Sequence, residues 1–333
     1  MSETAGIAEL AVTVGKEIFE VFKWEITGPS DHRWDCVEKE KHAPGKKKSV
    51  HVHPSDAVFF YTDPYLGKTA YVTTDFKSYA TNSLSGFPFK KDILSLVNSV
   101  ECAHKSETFQ ELYVDGSNPW FVEGMLFVYN HDGEYDKDFR GSMLKNAPKQ
   151  VSLLGRQRMF VFGPKDIWDF YSIATDLDSR LSKVRRNEDV ISDGFFVPDS
   201  MTKVVGPKTG AATLEMLSSP WLFHEMRTES VRHVSVYVRE LEDDKDEFKY
   251  LIDAILQYQL LSQSSKIVIR ALNASSETIK AINSAHLEYT QESHGILDFS
   301  AEMFAKRMKG ISIKSLPITK PSFCELELAS RDA

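Results

Sequence analysis

The sequence predicts a chain of two mixed α/β domains, and three observations lead to that prediction. Stretches with apolar residues at helical spacing alternate with β-branched and aromatic runs of strand length. The length of 333 residues is enough for two cores of ordinary size. A polar stretch over 187–194 interrupts the pattern, so we expect one domain over residues 1–190 and a second over 195–333.

The first domain begins with a predicted helix over 5–23, whose apolar side chains fall on one face. A β-hairpin follows, because strand-like runs over 54–61 and 69–77 flank a stretch that contains Asp-Pro and Gly. The remaining predicted elements are a helix over 92–102, strands over 120–130 and 156–162, and a helix over 163–181. This order is helix, strands, helix, strand, strand, helix.

The second domain shows the same alternation, which favours another α/β domain. Its predicted elements are strands over 233–239, 266–272 and 311–316, and helices over 245–261, 276–291 and 301–308. It contains no recognisable catalytic motif, so we expect a recognition or assembly module.

Composition sets the class of protein. The chain is 42% hydrophobic and 26% charged, as expected for a soluble globular protein. Its longest apolar runs, such as 125–129, are strand length, and its start lacks the basic region of a secretory signal. We therefore expect a cytoplasmic protein without a membrane segment.

Three cysteines and one histidine pair are candidate metal ligands. Cys36, Cys102 and Cys324 are scattered without C-x-x-C spacing, which is typical of a reducing compartment and argues against a zinc site. His51 and His53 share one face of a strand, but no third cysteine or histidine lies near them in sequence. We expect that pair to meet phosphate or solvent.

The most informative residues lie at the open end of the predicted hairpin. If the turn is centred between Tyr65 and Leu66, an unbulged antiparallel register places Asp75 across from Asp56. Lys77 projects from the same face as Asp75, because side chains alternate along a strand. The sequence thus predicts two carboxylates and one ammonium group converging on one point.

That combination suits metal-assisted hydrolysis. Two adjacent carboxylates repel each other unless a cation sits between them. A hard divalent cation such as Mg²⁺ takes oxygen ligands, and a neighbouring lysine can orient or help deprotonate a water. These are the parts needed to attack a phosphodiester. The alternative is structural: Asp56 simply begins a strand, and Asp75 with Lys77 forms an exposed pair.

Pro54-x-Asp56 followed by Asp75-x-Lys77 resembles the motif of the PD-(D/E)xK nuclease superfamily. The resemblance covers about the first half of the chain. It implies a restriction-endonuclease-like core of a helix, three meandering strands, a helix and a further strand. Ser55 separates the Pro from the Asp, which is a departure from the motif, although that proline is not a metal ligand.

The resemblance also implies further ligands for Mg²⁺ or Mn²⁺. The backbone carbonyl of Phe76 is one, and a glutamate on the first helix is another. Glu17 borders the apolar face of that helix, whereas Glu9 stands in a Gly6-x-x-Glu9 pattern seen in some of these nucleases. The choice between the two glutamates stays open.

A basic cluster just upstream of Asp56 includes Lys46, Lys47 and Lys48. Such a loop beside acidic metal ligands could hold a phosphate backbone, although most lysine runs are only solvated. The net charge of −8 argues against a protein that coats nucleic acid broadly. A partner subunit, or a homo-oligomer, would suit that charge.

The function implied by the resemblance is a Mg-dependent endonuclease that hydrolyses DNA, with RNA the less favoured substrate. Many members with an accessory domain act in restriction or bacterial anti-phage defence, so an effector role is implied. The competing hypothesis is a non-catalytic subunit that keeps the nuclease fold as a scaffold for a partner or nucleic acid.

Overall fold

The computed structural model describes residues 12–42, 51–84, 89–146, 157–202, 209–239, 245–262, 264–292, 306 and 308–321. These residues form two compact units. The first comprises the residues up to Tyr171 together with those from Lys320 onward, and the second is Ser172–Thr319. The division predicted from the sequence, at residues 190–195, stays a prediction.

The first unit is built on a mixed five-stranded sheet. Its strands, in chain order, are β1 (Glu25–Thr27), β4 (Ala57–Asp63), β5 (Lys68–Tyr79), β6 (Trp120–Asn130) and β7 (Met159–Phe162). A separate two-stranded sheet pairs β2 (His32–Asp35) with β3 (Val52–Ser55). The helices are α1 (Gly15–Phe19, one π-helical turn), α2 (Lys39–His42), α3 (Thr81–Leu84), α4 (Lys90–Ala103), α5 (Glu107–Tyr113), α6 (Phe139–Asn146) and α7 (Pro164–Arg185), which continues into the second unit.

The order of the main sheet is β1-β4-β5-β6-β7. Strands β1, β4 and β5 are antiparallel, whereas β5, β6 and β7 are parallel. The long connection from β5 to β6 contains α4, as a parallel crossover requires. A helix, a three-stranded meander, a helix and a parallel strand are therefore present, and the expected restriction-endonuclease-like fold is confirmed.

The β4–β5 hairpin turns where the sequence predicted. Asp63 Oδ1 accepts hydrogen bonds from the backbone N–H groups of Tyr65 at 2.7 Å and Leu66 at 3.0 Å. Gly67 then adopts a φ of 63°, a left-handed conformation that glycine reaches without steric cost. The pairing between Asp63 and Lys68 follows directly and fixes the register of both strands.

Aromatic packing holds the first helix against the sheet. The Phe19 ring stacks on Trp24 with centroids 4.7 Å apart and meets Phe59 of β4 at 4.9 Å. Trp24 in turn stacks on Tyr61 at 4.9 Å. Buried aromatic pairs of this kind contribute about 0.5–1.5 kcal/mol each beyond the area they bury. The sequence-predicted helix over 5–23 is described only from residue 12.

A close approach positions α4 on the sheet. A Cβ on Gly124 of β6 would lie 2.7 Å from Val100 Cγ2 and 3.2 Å from Leu96 Cγ. Only glycine therefore lets α4 lie at this depth over the strand. The consequence is that Cys102 and Glu101, at the end of α4, sit close to the sheet and are buried.

The second unit contains a six-stranded sheet in the order β13-β12-β11-β10-β8-β9. Its strands are β8 (Val190–Phe196), β9 (Thr209–Gly210), β10 (Trp221–Thr228), β11 (Arg232–Val238), β12 (Ser265–Leu272) and β13 (Ile311–Leu316). Its helices are α8 (Leu214–Ser218), α9 (Lys245–Gln257) and α10 (Ser276–Glu292). Strands β11, β12 and β13 are parallel, and side chains from α9 complete a core with them.

The predicted strands at 233–239, 266–272 and 311–316 and the first two predicted helices of this unit are confirmed. The helix expected over 301–308 lies almost wholly outside the described residues. The polar stretch over 187–194 was expected to be a boundary, but most of it belongs to β8, which pairs with β10. No helix in the described part of the chain is long and apolar enough to cross a lipid bilayer.

Candidate functional site

The hairpin carries the acidic residues to one place. The β4–β5 register ends at the pair Ala57 and Thr74, as an unbulged hairpin with the predicted centre requires. One further step of that register would set Asp56 opposite Asp75. Asp56 instead stands at a bend between β3 and β4, immediately outside the ladder.

Asp56 uses both its backbone and its side chain to close the end of the hairpin. Its N–H donates to the carbonyl oxygen of Thr74 at 3.1 Å, and its own carbonyl accepts from the N–H of Asp31 at 2.8 Å. Its Oδ2 accepts from the N–H of Phe76 at 2.7 Å. The carboxylate thus takes the place of a backbone partner and is aimed along β5 toward Asp75.

Ser55, which separates Pro54 from Asp56 in the motif, is a buried anchor. Its Oγ lies 2.7 Å from Thr73 Oγ1 of β5 and accepts from Trp34 Nε1 at 3.1 Å. These bonds tie β3 to both β2 and β5. Ser55, the residue that departs from the usual motif, therefore fixes the backbone directly before Asp56.

The electrostatics of the site reflect crowding of like charges. Burial is the largest cause that raises the pKa of Asp56, and the adjacent Asp75 carboxylate also raises it, by repulsion and by a side-chain hydrogen bond, so that the pKa is about 7. The Phe76 N–H and the Lys77 ammonium lower it, but they do not outweigh burial. The two carboxyl groups are thus brought together as the sequence predicted.

Lys77 completes the cluster. Its Nζ forms an ion pair with Asp75 Oδ1, and the side chains of Lys77 and Asp75 are 28% and 17% exposed. Burial lowers the pKa of Lys77, but the Asp75 and Asp56 carboxylates together raise it above its ordinary value. Lys77 is therefore a cation at neutral pH, held between the acids and the solvent.

Asp92 is a fourth charged group that the sequence did not single out. It lies in the first turn of α4, and its Oδ2 accepts from the Tyr79 hydroxyl at 3.5 Å. Burial raises the pKa of Asp92, Lys77 lowers it and Asp75 raises it. Its only sequence signal was an acid at the start of the helix that follows the D-x-K strand.

Of the other predicted ligands, Glu17 and Phe76 lie within the described residues. Glu17 lies in α1, where burial raises its pKa and its Oε2 is buried without a hydrogen-bond partner among the described residues. Phe76 points its N–H toward Asp56, and the N–H and C=O of one strand residue face the same side, so its carbonyl faces that edge too. Glu9 and Lys46, Lys47 and Lys48 lie outside the described residues.

The donor set fits a hard divalent cation. Asp56 and Asp75 offer only oxygen atoms, and their mutual repulsion disappears when a cation lies between them. A buried carboxyl group with a raised pKa beside a second carboxylate is a common feature of functional sites. These residues are thus suited to hold Mg²⁺ or Mn²⁺.

The Asp56 pKa leads to a stability prediction. Because the pKa of about 7 in the folded chain exceeds the ordinary value of about 3.9, the metal-free fold binds an extra proton in between. The stabilisation of the folded chain by this bound proton is complete below about pH 4 and is lost as the pH rises through about 7. We expect Asp56→Asn to unfold at a higher temperature than the wild type near pH 8 in chelator.

The measurement is a series of thermal unfolding curves between about pH 5 and pH 8. The wild-type unfolding temperature should fall more steeply with pH than that of Asp56→Asn, and Mg²⁺ should restore the wild type only. Asparagine also has a side-chain oxygen that can accept from the Phe76 N–H, so the wild type and the variant share this hydrogen bond. Parallel pH dependences would show that Asp56 does not carry this charge.

A second cluster of polar side chains lies away from the acids. Cys36, His42, His53 and Cys102 each present one ligand atom, and these atoms all lie within 4.8 Å of one another. The sequence argument against a zinc site relied on the scattered positions of the cysteines, but Cys36 and Cys102 are distant only along the chain. The signal was the sequence Cys36-x5-His42-x10-His53, which lacks any familiar zinc spacing. Cys324 lies outside the described residues.

A mixed sheet whose antiparallel hairpin carries an aspartate at the entry of one strand and Asp-x-Lys on the next defines the PD-(D/E)XK class of nucleases. Residues 1–166 match the family described as the GAPS4 protein PD-(D/E)XK nuclease domain. Through this domain the chain belongs to the PD-(D/E)XK nuclease superfamily. No curated protein and no solved structure matches the chain.

Proposed function

We propose that the chain is a metal-dependent nuclease that hydrolyses phosphodiester bonds in DNA, with RNA the less favoured substrate. The observation that carries the proposal is the convergence of Asp56, Asp75 and Lys77 at the end of one hairpin. Repulsion between the buried Asp56 carboxylate and the partly buried Asp75 carboxylate is costly for a fold, so their proximity favours a functional role for the pair.

Each residue has a distinct role in this proposal. Asp56 and Asp75 hold the divalent cation, with the Phe76 carbonyl and a glutamate of the first helix, Glu17 or Glu9, as further ligands. Bound Mg²⁺ or Mn²⁺ supplies Lewis-acid charge beside the scissile phosphate and makes nearby water more acidic.

Lys77 orients the attacking water and donates to a phosphate oxygen as negative charge develops there. Its ion pair with Asp75 holds the ammonium group on the face where the phosphate must lie. Asp92 and Tyr79 border this group and restrain its position. The half-buried environment strengthens each of these interactions relative to water.

Substrate and partners follow from the same reasoning. Lys46, Lys47 and Lys48 precede β3 in sequence, and we place phosphate-backbone contacts there. The net charge of −8 supports a partner subunit or a homo-oligomer that supplies more of the nucleic-acid surface. We further propose a role as an effector in bacterial anti-phage defence, which the resemblance to nucleases with an accessory domain implies.

The test is cleavage of supercoiled plasmid DNA and of single-stranded RNA, with Mg²⁺, Mn²⁺ or chelator. We expect the wild type to cleave DNA with a cation present and Asp75→Asn to lose that activity. Asp136→Asn, an identical change at an exposed acid of the same unit, should cleave like the wild type. Failure of the wild type on both substrates with either cation would overturn the proposal and leave the scaffold hypothesis.

A further inference from the structure

The chain between β1 and β4 forms a small substructure, which we call the β2–β3 module. Its described parts are residues 32–42 and 51–55. Its two strands have four residues each, and α2 has four residues. A two-stranded sheet of this size is marginal in water and needs some further support.

Four soft or borderline ligands meet where this module touches α4. Cys36 follows β2, His42 ends α2, and His53 lies in β3, opposite Trp34. Cys102 comes from α4. Cys36, His53 and Cys102 are at most 1% exposed, and so is the side chain of His42. No two of the four come from the same element.

The distances match tetrahedral zinc. The two sulfurs are 3.8 Å apart, and each lies 3.4 Å from His42 Nδ1. A tetrahedral ion with Zn–S of about 2.3 Å and Zn–N of about 2.0–2.1 Å separates two sulfurs by about 3.8 Å and sulfur from nitrogen by about 3.6 Å. The protein therefore holds three ligand atoms at the spacing the ion requires.

The remaining nitrogens agree with this arrangement. His42 Nε2 lies 3.2 Å from Glu101 Oε2, so the ring contacts a carboxylate on the side opposite to the sulfurs. A ligand histidine commonly donates its second N–H to such a carboxylate. Glu101 is itself held by Lys41 at 2.6 Å and 2.7 Å.

His53 supplies the fourth ligand. Its Nε2 is buried without a hydrogen-bond partner among the described residues, and its ring lies 5.4 Å from that of His42. A buried polar nitrogen left without a partner costs free energy, which coordination of a cation would remove. The orphaned atom is therefore an independent sign of a ligand.

We propose that Cys36, His42, His53 and Cys102 bind one structural zinc ion, which fastens the β2–β3 module to α4. Two thiolates and two imidazoles select zinc over Mg²⁺, and four protein ligands leave no open position for catalysis. The site is distinct from the Asp56 and Asp75 site and does not depend on the nuclease proposal.

Zinc binding at this place would also restrain the segment that contains Asp56. His53 lies two residues before Ser55, and Ser55 bonds to Thr73 beside the bend at Asp56. Zinc at this place would fix the start of β4 from one side while the hairpin fixes it from the other. Loss of zinc should therefore loosen the Asp56 segment, although no ligand belongs to the acidic site.

The test is metal content of the full chain, purified without chelator from zinc-supplemented cells. Elemental analysis should find about one zinc per wild-type chain. Cys102→Ser should lose it, whereas Cys324→Ser, the same change at the remaining cysteine, and Asp75→Asn should retain it. Because Cys102→Ser could unfold, the wild type is also refilled with Co²⁺, which should give the intense absorption of tetrahedral thiolate coordination.

Two outcomes would overturn the proposal. One is a folded wild type that contains no zinc and gives no tetrahedral Co²⁺ spectrum. The other is a Cys36–Cys102 disulfide, seen by mass spectrometry of protein kept under reducing conditions that match its cell. Retention of zinc by a folded Cys102→Ser variant would also exclude this ligand set.

Discussion

Replacing Lys77 with methionine is expected to lower the rate of phosphodiester cleavage by about 10²–10⁴-fold, the range associated with one proton-transfer or charge-stabilising group. Methionine retains much of the length and apolar stem of lysine but carries no charge. The variant therefore removes the ammonium group beside Asp75 and little of the packing. The measurement is single-turnover cleavage of the preferred substrate at saturating Mg²⁺.

The same variant should keep or increase its affinity for a divalent cation. Lys77 is a positive charge beside both acids, and its removal leaves more negative charge for a cation to neutralise. Calorimetric titration with Mn²⁺ separates these effects. A loss of cleavage that arises only from lost cation binding would contradict the assigned role.

Lys68→Met is the matched control. Lys68 lies on the same strand, β5, at the turn end of the hairpin, where it pairs with Asp63. The identical substitution there should leave cleavage within about twofold of the wild type, because surface substitutions away from special features have small effects. Equal losses in the two variants would indicate damage to the strand rather than to the site.

Replacing Arg232 with methionine is expected to destabilise the second unit by about 3–5 kcal/mol. The Glu225 carboxylate is 1% exposed and accepts hydrogen bonds from Arg232 Nε at 2.8 Å and from Arg232 Nη2. Arg232 Nη1 also donates to the carbonyl of Gln259 at 2.8 Å, just after the end of α9. Removal of this arginine leaves a buried negative charge with too few partners.

Arg227→Met is the comparison, because Arg227 contacts the same carboxylate from a 43% exposed position, whereas Arg232 is 14% exposed. Its loss should cost no more than about 1 kcal/mol, since solvent replaces much of the interaction. Adding Glu225→Gln to Arg232→Met should recover part of the lost stability. The readout is hydrogen exchange of peptides within β10 and β11, which isolates this unit from the first.

If Arg232→Met and Arg227→Met lowered the stability of the second unit by the same small amount, groups other than Arg232 would have to compensate the charge of Glu225. If the added Glu225→Gln deepened the loss, the cost would lie in packing of the arginine stem over Phe196, 5.8 Å from the guanidinium carbon. Either result would contradict the assignment of the cost to a buried charge.

The acidic site was predictable because it depends on local geometry. Asp-Pro and Gly67 mark the hairpin turn, and once its centre is known, alternation fixes the faces of Asp75 and Lys77. The bend at Asp56 was not predictable, since it depends on the bonds that Ser55 makes to Trp34 and Thr73. Those bonds join segments that are distant in sequence.

The Cys and His cluster could not be predicted for a related reason. Cys102 lies 66 positions from Cys36 in the sequence, and their sulfurs meet through the packing of α4 against the sheet and the β2–β3 module. Sequence spacing reveals metal sites built from one loop, whereas this site takes ligands from α2, β3, α4 and the residue after β2. Asp92 could not be identified from the sequence for the same reason, because its proximity to Lys77 arises from the packing of α4.

The second unit was predictable where helices alternate with parallel strands, and less so where strands are antiparallel. β10 was not predicted, and β8 carries the polar residues Ser192 and Asp193, which hid its pairing with β10. A strand that is held mainly by pairing with its neighbour, and that has no clear apolar pattern of its own, is difficult to detect in the sequence.

The continuous ladder between β5 and β6 makes the acidic site sensitive to chain length as well as to residue type. Asp75 pairs with Leu126 and Lys77 with Val128, so both side chains take their direction from one uninterrupted strand. Adding or removing a single residue just after Thr74 would turn Asp75 and Lys77 to the opposite face, although both residues would still be encoded. In a library of variants, one-codon insertions and deletions here should be as damaging as loss of the charges themselves.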